Sequence, residues 1–312
     1  MTSVQGKVKI GTRGSALALV QAGEVQAALK QAQPDLTVEL EIIKTRGDKM
    51  QSVPLAQVGG KGLFVKEIEE ALLEGWIDLA VHSMKDLPSE QPDGLIIAAV
   101  PERLDARDAL VSLKAESLEA LPAGARVGTS SLRRRAQLLS RRPDLLVAPL
   151  RGNVDTRLAR LASGDLKAVV LAAAGLIRLG RLDRSAILFD PQEMLPAIGQ
   201  GALALEARAG NEALVRLLAR LHHPPTANAV LAERAFLRRL AGDCHVPVAA
   251  YAVIEGGTLR LEGLVSDPEG RSVFRDSVVG PAAGAEALGE TLAETLLGRG
   301  ADRVLAALKE KR

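Results

Sequence analysis

Apolar runs of strand length alternate with segments of helical apolar spacing through the first 180 or so residues. That alternation confines the chain to α/β architectures with a largely parallel sheet covered on both faces. Lys7–Thr12 is a short β run, and Ser15–Ala32 is rich in Ala, Leu and Gln at helical spacing. Thr37–Lys44 alternates Val38, Leu40 and Ile42 with Glu39 and Glu41, the pattern of a half-buried strand. Thr45–Gly62, with Gly47, Pro54, Gly59, Gly60 and Gly62, lacks steady periodicity and is expected to be a mobile, functional loop. Phe64, Ile68, Ala71 and Leu72 predict a helix with one buried face, and Ile77–Val81 and Leu95–Val100 predict strands. After the charged stretch Pro101–Arg107 the alternation resumes. Strands are expected at Arg126–Thr129, Leu145–Leu150 and Ala168–Ala173, with helices at Ser131–Arg142 and Val154–Ala162.

The last ninety or so residues differ. A helix over Thr226–Leu240 precedes three strands, Val246–Ile254, Thr258–Val265 and Ser272–Val279, separated by Gly-Gly and Pro-Glu-Gly turns. Leu288, Leu292, Thr295 and Leu296 mark a closing helix, so a small α+β domain is expected here. His222-His223-Pro224-Pro225 reads as a helix terminator and linker. A length of 312 residues fits two or three domains.

Composition removes several function classes. One cysteine, Cys244, rules out an intrachain disulfide framework and any cysteine-cluster metal site, and the four histidines form no H-x-x-x-H pair, so no metal is expected. Six aromatic residues are too few for stacking platforms on single-stranded nucleic acid. No run approaches the length of a membrane span, the start lacks an apolar signal segment, and a reduced cytoplasmic setting is expected.

The net charge of +2 hides an asymmetry. Arg126–Arg184 holds twelve Arg and one Lys against four Asp and no Glu. Guanidinium forks grip carboxylates and phosphates in bidentate fashion. Gly128-Thr129-Ser130-Ser131-Leu132-Arg133-Arg134 lies where a strand gives way to a helix, so backbone N–H groups, hydroxyls and the helix dipole converge there on an anion. Arg151-Gly152-Asn153 repeats the arrangement after the next strand, with Arg157 one turn into its helix, and Arg178 follows the third strand. Three strand C-terminal ends thus carry Arg, the usual ligand rim of an open α/β sheet. Arg135, Arg141, Arg142 and Arg160 are expected to face water. A polyanionic ligand follows; an anion-binding module with an inert Cys244 and an Arg-based nucleic-acid binder are the competing readings. Gly59-Gly60-Lys61-Gly62 lacks the upstream Gly and the Ser/Thr of a phosphate loop, and Gly11-x-x-Gly14 is not a dinucleotide fingerprint.

Dense blocks in order along nearly the whole chain carry a resemblance. They are Thr12–Leu19, Thr45-Arg46-Gly47-Asp48, Gly59–Phe64, Val81-His82-Ser83-Met84-Lys85-Asp86-Leu87-Pro88, Gly128–Arg134, Leu150–Val154, Leu195–Gly201 and Gly242-Asp243-Cys244-His245-Val246-Pro247. With these the chain resembles the hydroxymethylbilane synthase (porphobilinogen deaminase) family. The resemblance implies head-to-tail condensation of four porphobilinogen molecules with release of ammonia, then hydrolysis to the linear tetrapyrrole hydroxymethylbilane. It implies a self-assembled dipyrromethane cofactor on a thioether to Cys244. The implied fold is two type II periplasmic-binding-protein-like α/β domains plus a C-terminal α+β domain with a three-stranded sheet. The boundaries expected are 1–101 with 200–220, 106–195, and 224–312.

By family position Asp86 is the expected catalytic residue, its carboxylate accepting pyrrole N–H groups and stabilising the positive charge that develops as ammonia leaves. Cofactor contacts are implied for Cys244, Ser15, Lys85, Asp86, Thr129, Ser130, Ser131, Arg133, Arg134 and Gly152. Substrate contacts are implied for Arg13, Ser15, Arg151, Arg157, Arg178 and Gln200, and an active-site loop for Lys61 and Phe64. A six-ring chain carries about a dozen carboxylates, a load suited to Arg forks. His82 reads as a structural, hydrogen-bonded core histidine. Asp243 stands where the family usually has a small residue, and its charge is expected to raise the thiol pKa of Cys244. A monomer, a product handed to uroporphyrinogen-III synthase, and no nucleic-acid or membrane partner complete the expectation.

Overall fold

The computed structural model describes residues 6–49, 65–183, 185–240 and 246–310. In chain order the first stretch gives β1 (Lys7–Thr12), α1 (Ala16–Ala32), β2 (Thr37–Ile42), α2 (Arg46–Lys49), α3 (Lys66–Leu73), β3 (Leu79–Ser83) and β4 (Leu95–Ala99). The second gives β5 (Asp108–Val111), β6 (Arg126–Gly128), α4 (Leu132–Arg141), β7 (Leu146–Ala148), α5 (Val154–Ala162), β8 (Ala168–Ala172), α6 (Ala173–Arg178) and β9 (Ala186–Leu188). The remainder gives β10 (Leu203–Arg208), α7 (Glu212–Leu218), α8 (Pro224–Arg239), β11 (Val248–Glu255), β12 (Thr258–Ser266), β13 (Val273–Pro281), α9 (Ala285–Leu296) and α10 (Asp302–Glu310). Met1–Leu104 with Ala202–Ala227 form one unit, and Asp105–Gly201 with Asn228–Arg312 the other.

The first unit holds a five-stranded sheet of order β2-β1-β3-β10-β4. Only β10 runs against its neighbours. One face packs Val8, Ile10, Val38, Leu79, Val81, Leu203 and Leu205 against α1 and α7, and the other packs Ala80 and Leu95 against Ile68, Ala71 and Leu72 of α3. The alternation read in β2 holds for Val38 and Leu40, whereas Ile42 passes beyond the core and is 52% exposed. β10, Leu203–Ala207, is buried on both faces, as a strand inside a covered sheet must be.

The second unit repeats this order as β7-β6-β8-β5-β9, with β5 antiparallel to β8 and β9. Each unit is thus a mixed α/β layer whose four parallel strands are split by one reversed strand, in the type II order that the resemblance implies. Sequence reading missed the two reversed strands, β5 and β10, and the three-residue β9. Asp108–Val111 is too short, and Leu203–Arg208 too lacking in alternation, to announce a strand. Of the loop expected over 45–62, residues 46–49 form the short helix α2, and 50–62 lie outside the described residues.

The C-terminal residues of the second unit form an antiparallel meander, β11-β12-β13, covered by α8, α9 and α10 around Phe236, Leu259, Leu261, Leu292 and Leu296. The turn between β12 and β13 rests on α4: Gly270 has φ +68, and a Cβ there would stand 2.1 Å from the Ala136 carbonyl oxygen, so only glycine fits. Arg275 on β13 donates to the carbonyl oxygens of Pro191 and Gln192. Pro224 and Pro225 open α8 instead of acting as a linker. A first-turn N–H has no helical partner to lose, and His223 Nδ1 takes the Thr226 N–H.

Candidate functional site

In the first unit the C-terminal ends of β1 and β3 emerge side by side, because Ile10 pairs with Leu79 and Gly11 with Ala80. Arg13 and Ser15 follow β1, and the Ser15 hydroxyl accepts the Ala18 N–H to cap α1. Such a cap stabilises a helix by about 0.5–2 kcal/mol. Met84–Asp86 form a single 3-10 turn after β3. Lys85 on it is half-buried, and Asp86 is exposed. That turn is tied from below: Met84 N–H donates to Ala202 O at 3.0 Å, and Gln21 Nε2 donates to Ser83 Oγ at 2.9 Å. His82 is buried as expected, with Nε2 3.1 Å from Glu206 Oε2.

In the second unit Gly128 pairs with both Ala148 and Val169, so the ends of β6, β7 and β8 share one edge. Thr129 Oγ1 accepts the Ser131 N–H, and Ser131 Oγ accepts the Arg134 N–H to cap α4. Ser130 Oγ both accepts from Leu150 N and donates to Leu150 O, closing β6 against the segment after β7. Asn153 Oδ1 caps α5 through the Thr156 N–H, and Gly152 (φ +101) sits where a Cβ would stand 2.8 Å from Thr156. Arg157 Nε donates to Gly152 O at 2.9 Å. Arg151, Arg157 and Arg178 are all half-buried at this edge, Arg178 at the end of the six-residue α6.

Arg133, Arg134 and Gln200 are placed differently. All three converge on Asp108, a fully buried carboxylate at the start of β5. Arg133 Nη1 lies 2.6 Å from Oδ2, Arg134 Nε and Nη2 lie 3.0 and 2.7 Å from Oδ1, and Gln200 Nε2 lies 3.1 Å from Oδ1. Burial alone would push the Asp108 carboxyl up. The two guanidiniums more than reverse this and hold it well below the usual carboxylate range. Arg134 also donates Nη1 to Val170 O, so each of its three nitrogens is engaged. The described bonds of Arg133 all run through Nη1, to Asp108 and Leu195 O. Sequence reading missed Asp108; its only signal was an acidic residue opening a short apolar strand in an Arg-rich unit.

The Arg residues expected in water have ion-pair partners: Arg135 with Glu269, Arg141 with Glu119 and Glu193, and Arg160 with Asp165. Arg142 departs from that expectation. Besides Asp144 it donates to the carbonyl oxygens of Leu118 and Leu121, fastening the segment before β6. Lys61, Phe64, Asp243 and Cys244 lie outside the described residues. Among the described residues no helix is long and apolar enough to cross a membrane, and no group of three or more His, Cys, Asp or Glu could hold a metal. Half-buried Arg forks beside two capped helix starts form a donor set that suits a ligand bearing several carboxylates, as a dipyrromethane does.

The family model described as "Porphobilinogen deaminase, dipyromethane cofactor binding domain" matches residues 8–216, and "Porphobilinogen deaminase, C-terminal domain" matches residues 227–298. Two curated relatives, both named porphobilinogen deaminase, are similar over nearly the whole chain. The one from Syntrophotalea carbinolica is 57% identical over 301 residues, covering 96% of this chain and 96% of the relative. The one from Pelobacter propionicus is 54% identical over 299 residues, also covering 96% of each. Among solved structures, the alkanesulfonate-binding protein SsuA from Xanthomonas axonopodis pv. citri aligns with TM-score 0.37 and 17% identity over 76% of this chain and 75% of that one. The cofactor-binding domain of the Cbl transcriptional regulator aligns with TM-score 0.43 and 16% identity over 71% and 90%. By the two family models and by relatives identical at more than half of the aligned positions, the chain belongs to the porphobilinogen deaminase family.

Proposed function

We propose that this member of the porphobilinogen deaminase family divides its work between the two strand edges. The chain is an enzyme, a transferase that assembles a tetrapyrrole from porphobilinogen, with dipyrromethane as its cofactor. Four porphobilinogen units are joined head to tail with loss of ammonia, and hydrolysis frees hydroxymethylbilane. When bound, dipyrromethane supplies the pyrrole α-carbon to which the first unit is joined.

Arg151, Arg157 and Arg178 hold acetate and propionate carboxylates as bidentate partners, helped by the α4 and α5 starts at Thr129, Ser131 and Gly152. Arg133 reaches a carboxylate through Nη2 while Nη1 keeps Asp108. Arg134, Gln200 and Ser130 act from behind and hold the edge in shape. In the first unit Arg13, Ser15 and Lys85 bind further carboxylates. Asp86 accepts pyrrole N–H bonds, stabilises the positive charge that grows as ammonia leaves, and holds a proton on its carboxylate during the exchange. Cys244 carries the cofactor as a thioether, with Asp243 beside it slowing thiolate formation. Lys61 and Phe64 are the active-site loop residues of this reading.

The same reading makes the chain a cytoplasmic monomer of three domains, 1–101 with 200–220, 106–195 and 224–312, whose product passes to uroporphyrinogen-III synthase. The observation that carries it is the placing of Arg151 and Arg157 after β7 and of Arg178 after β8, beside the capped starts of α4 and α5, on the edge where the parallel strands β6, β7 and β8 end. Intact mass tests it. The purified chain should exceed its sequence mass by two pyrrole units, and Cys244→Ala should lose both that excess and activity. Active protein of plain sequence mass would overturn the reading.

A further inference from the structure

Glu206 sits in the middle of an otherwise apolar strand, at 0% exposure. Its register partner on β3 is Ala80, which packs with Ile68 and Leu72 of α3, so Glu206 projects from the sheet face that α3 covers. His82, two residues beyond Ala80, lies on the same face. Glu206 meets His82 Nε2 through Oε2 alone, and its Oε1 is buried without a hydrogen-bond partner. Glu69, on α3 itself, is 8% exposed, and its Oε1 is likewise buried and unpartnered. Two ionised carboxylates cannot satisfy each other, since both only accept. A proton on Glu69 would turn one of these acceptors into a donor on the face that also holds Glu206 Oε1.

We propose that Glu69, Glu206 and His82 form a buried proton-holding cluster that fixes the end of β3, and with it the Lys85–Asp86 turn. The proton resides between Glu69 and Glu206, and Glu206 grips His82 on its other side. The cluster acts as a positioning device: the turn begins two residues after His82, so whatever loosens Glu206 loosens the turn. The consequence for catalysis rests on the reading of Asp86 given above, whereas the proton assignment does not.

The other charged groups on this face are accounted for. Beside Glu69 on α3, Glu70 pairs with Lys66, and Glu67 faces Arg46 through Oε1, its Oε2 being buried without a hydrogen-bond partner. From β10, Arg208 is engaged by Leu72 O, Ile77 O and Asp78. From β1, Lys9 shares this face, with its backbone N–H on Asp78, while β4 carries no titratable side chain. Among the described residues no Lys or Arg is ion-paired with either carboxylate of the pair. Burial first, and then the Glu206 charge, push the Glu69 carboxyl above its ordinary value of 4.5, with His82 opposing. A raised carboxyl contributes stability that is full below that ordinary value and is lost as pH rises through the raised one.

Carbon-13 NMR of glutamate side chains in the full-length holoenzyme tests this. One carboxyl should titrate well above the others and vanish in Glu69→Gln, whose amide donates to Glu206 as the acid did. Glu69→Gln should match the parent's stability in acid and exceed it at alkaline pH. Glu206→Ala should lower kcat by about tenfold to a hundredfold, with little change in KM, and Glu206→Gln, which can still accept from His82, should recover most of it. Absence of an elevated glutamate, or one that survives Glu69→Gln, overturns the proton assignment. An unchanged kcat in Glu206→Ala overturns the positioning role. Asp86→Asn should leave the elevated signal in place, so failure of the Asp86 reading registers separately.

Discussion

Arg134 donates Nε and Nη2 to one oxygen of Asp108, at 3.0 and 2.7 Å, from the helix that opens the Arg-rich edge to the strand that runs against the rest of its sheet. Arg133 takes the other oxygen of the same carboxylate at 2.6 Å. A buried anion therefore sets the position of two guanidiniums whose charges would otherwise repel across the start of α4. Burial and the neighbouring Arg133 charge both press the Arg134 pKa down, against the pull of Asp108.

Asp108→Asn should therefore cost about 3–5 kcal/mol in urea unfolding at neutral pH, because it leaves two buried guanidiniums without their anion. The sign with pH follows from the depressed carboxyl. The Asp108 contribution is full above the ordinary value of 3.8 and is lost as pH falls below it. Parent and variant should converge in strong acid. A gap below about 1 kcal/mol at neutral pH would place this pair with ordinary surface bridges instead.

Gly270→Ala should destabilise the second unit by roughly 1–3 kcal/mol, since the added methyl meets the Ala136 carbonyl oxygen and the backbone is left-handed there. Denaturant titration followed through the second unit reads it. A neutral result would show that the β12–β13 turn does not rest on α4 in solution.

Asp86→Asn should keep the covalent pyrrole mass while kcat falls by about a hundredfold to ten-thousandfold, the range for a lost proton-transfer group. Mass spectrometry and steady-state rates on one preparation check both halves. Near-normal turnover would remove Asp86 from the chemistry.

Arg151→Leu should weaken capture of the growing chain, raising the KM for porphobilinogen by about tenfold to a hundredfold, as loss of a charged hydrogen-bonding partner does. Arg160→Leu is the matched control, because that residue is exposed and paired with Asp165. Equal effects in the two variants would mean that Arg151 is merely a solvated charge.

What the sequence by itself determined is local. The alternation of strand and helix follows from apolar spacing. The caps at Ser15, Ser131 and Asn153 follow because a cap joins residues only three apart, and the Arg-bearing strand ends follow from the order of elements. Arg151 and Arg178 could be named on those grounds, whereas Arg13, Lys85 and Asp86 are implied only by the family resemblance of the blocks that hold them. Only the tertiary structure decided which of the arginines face inward and which acids are buried. Asp108 meets Arg133 from 25 residues away and Glu206 meets His82 from 124, each across a strand that returns to its sheet in reverse. No periodicity within a segment encodes such a pairing. The reversed strands carry their carboxylates into a dry layer, and the surrounding fold alone determines which donor is there to meet them.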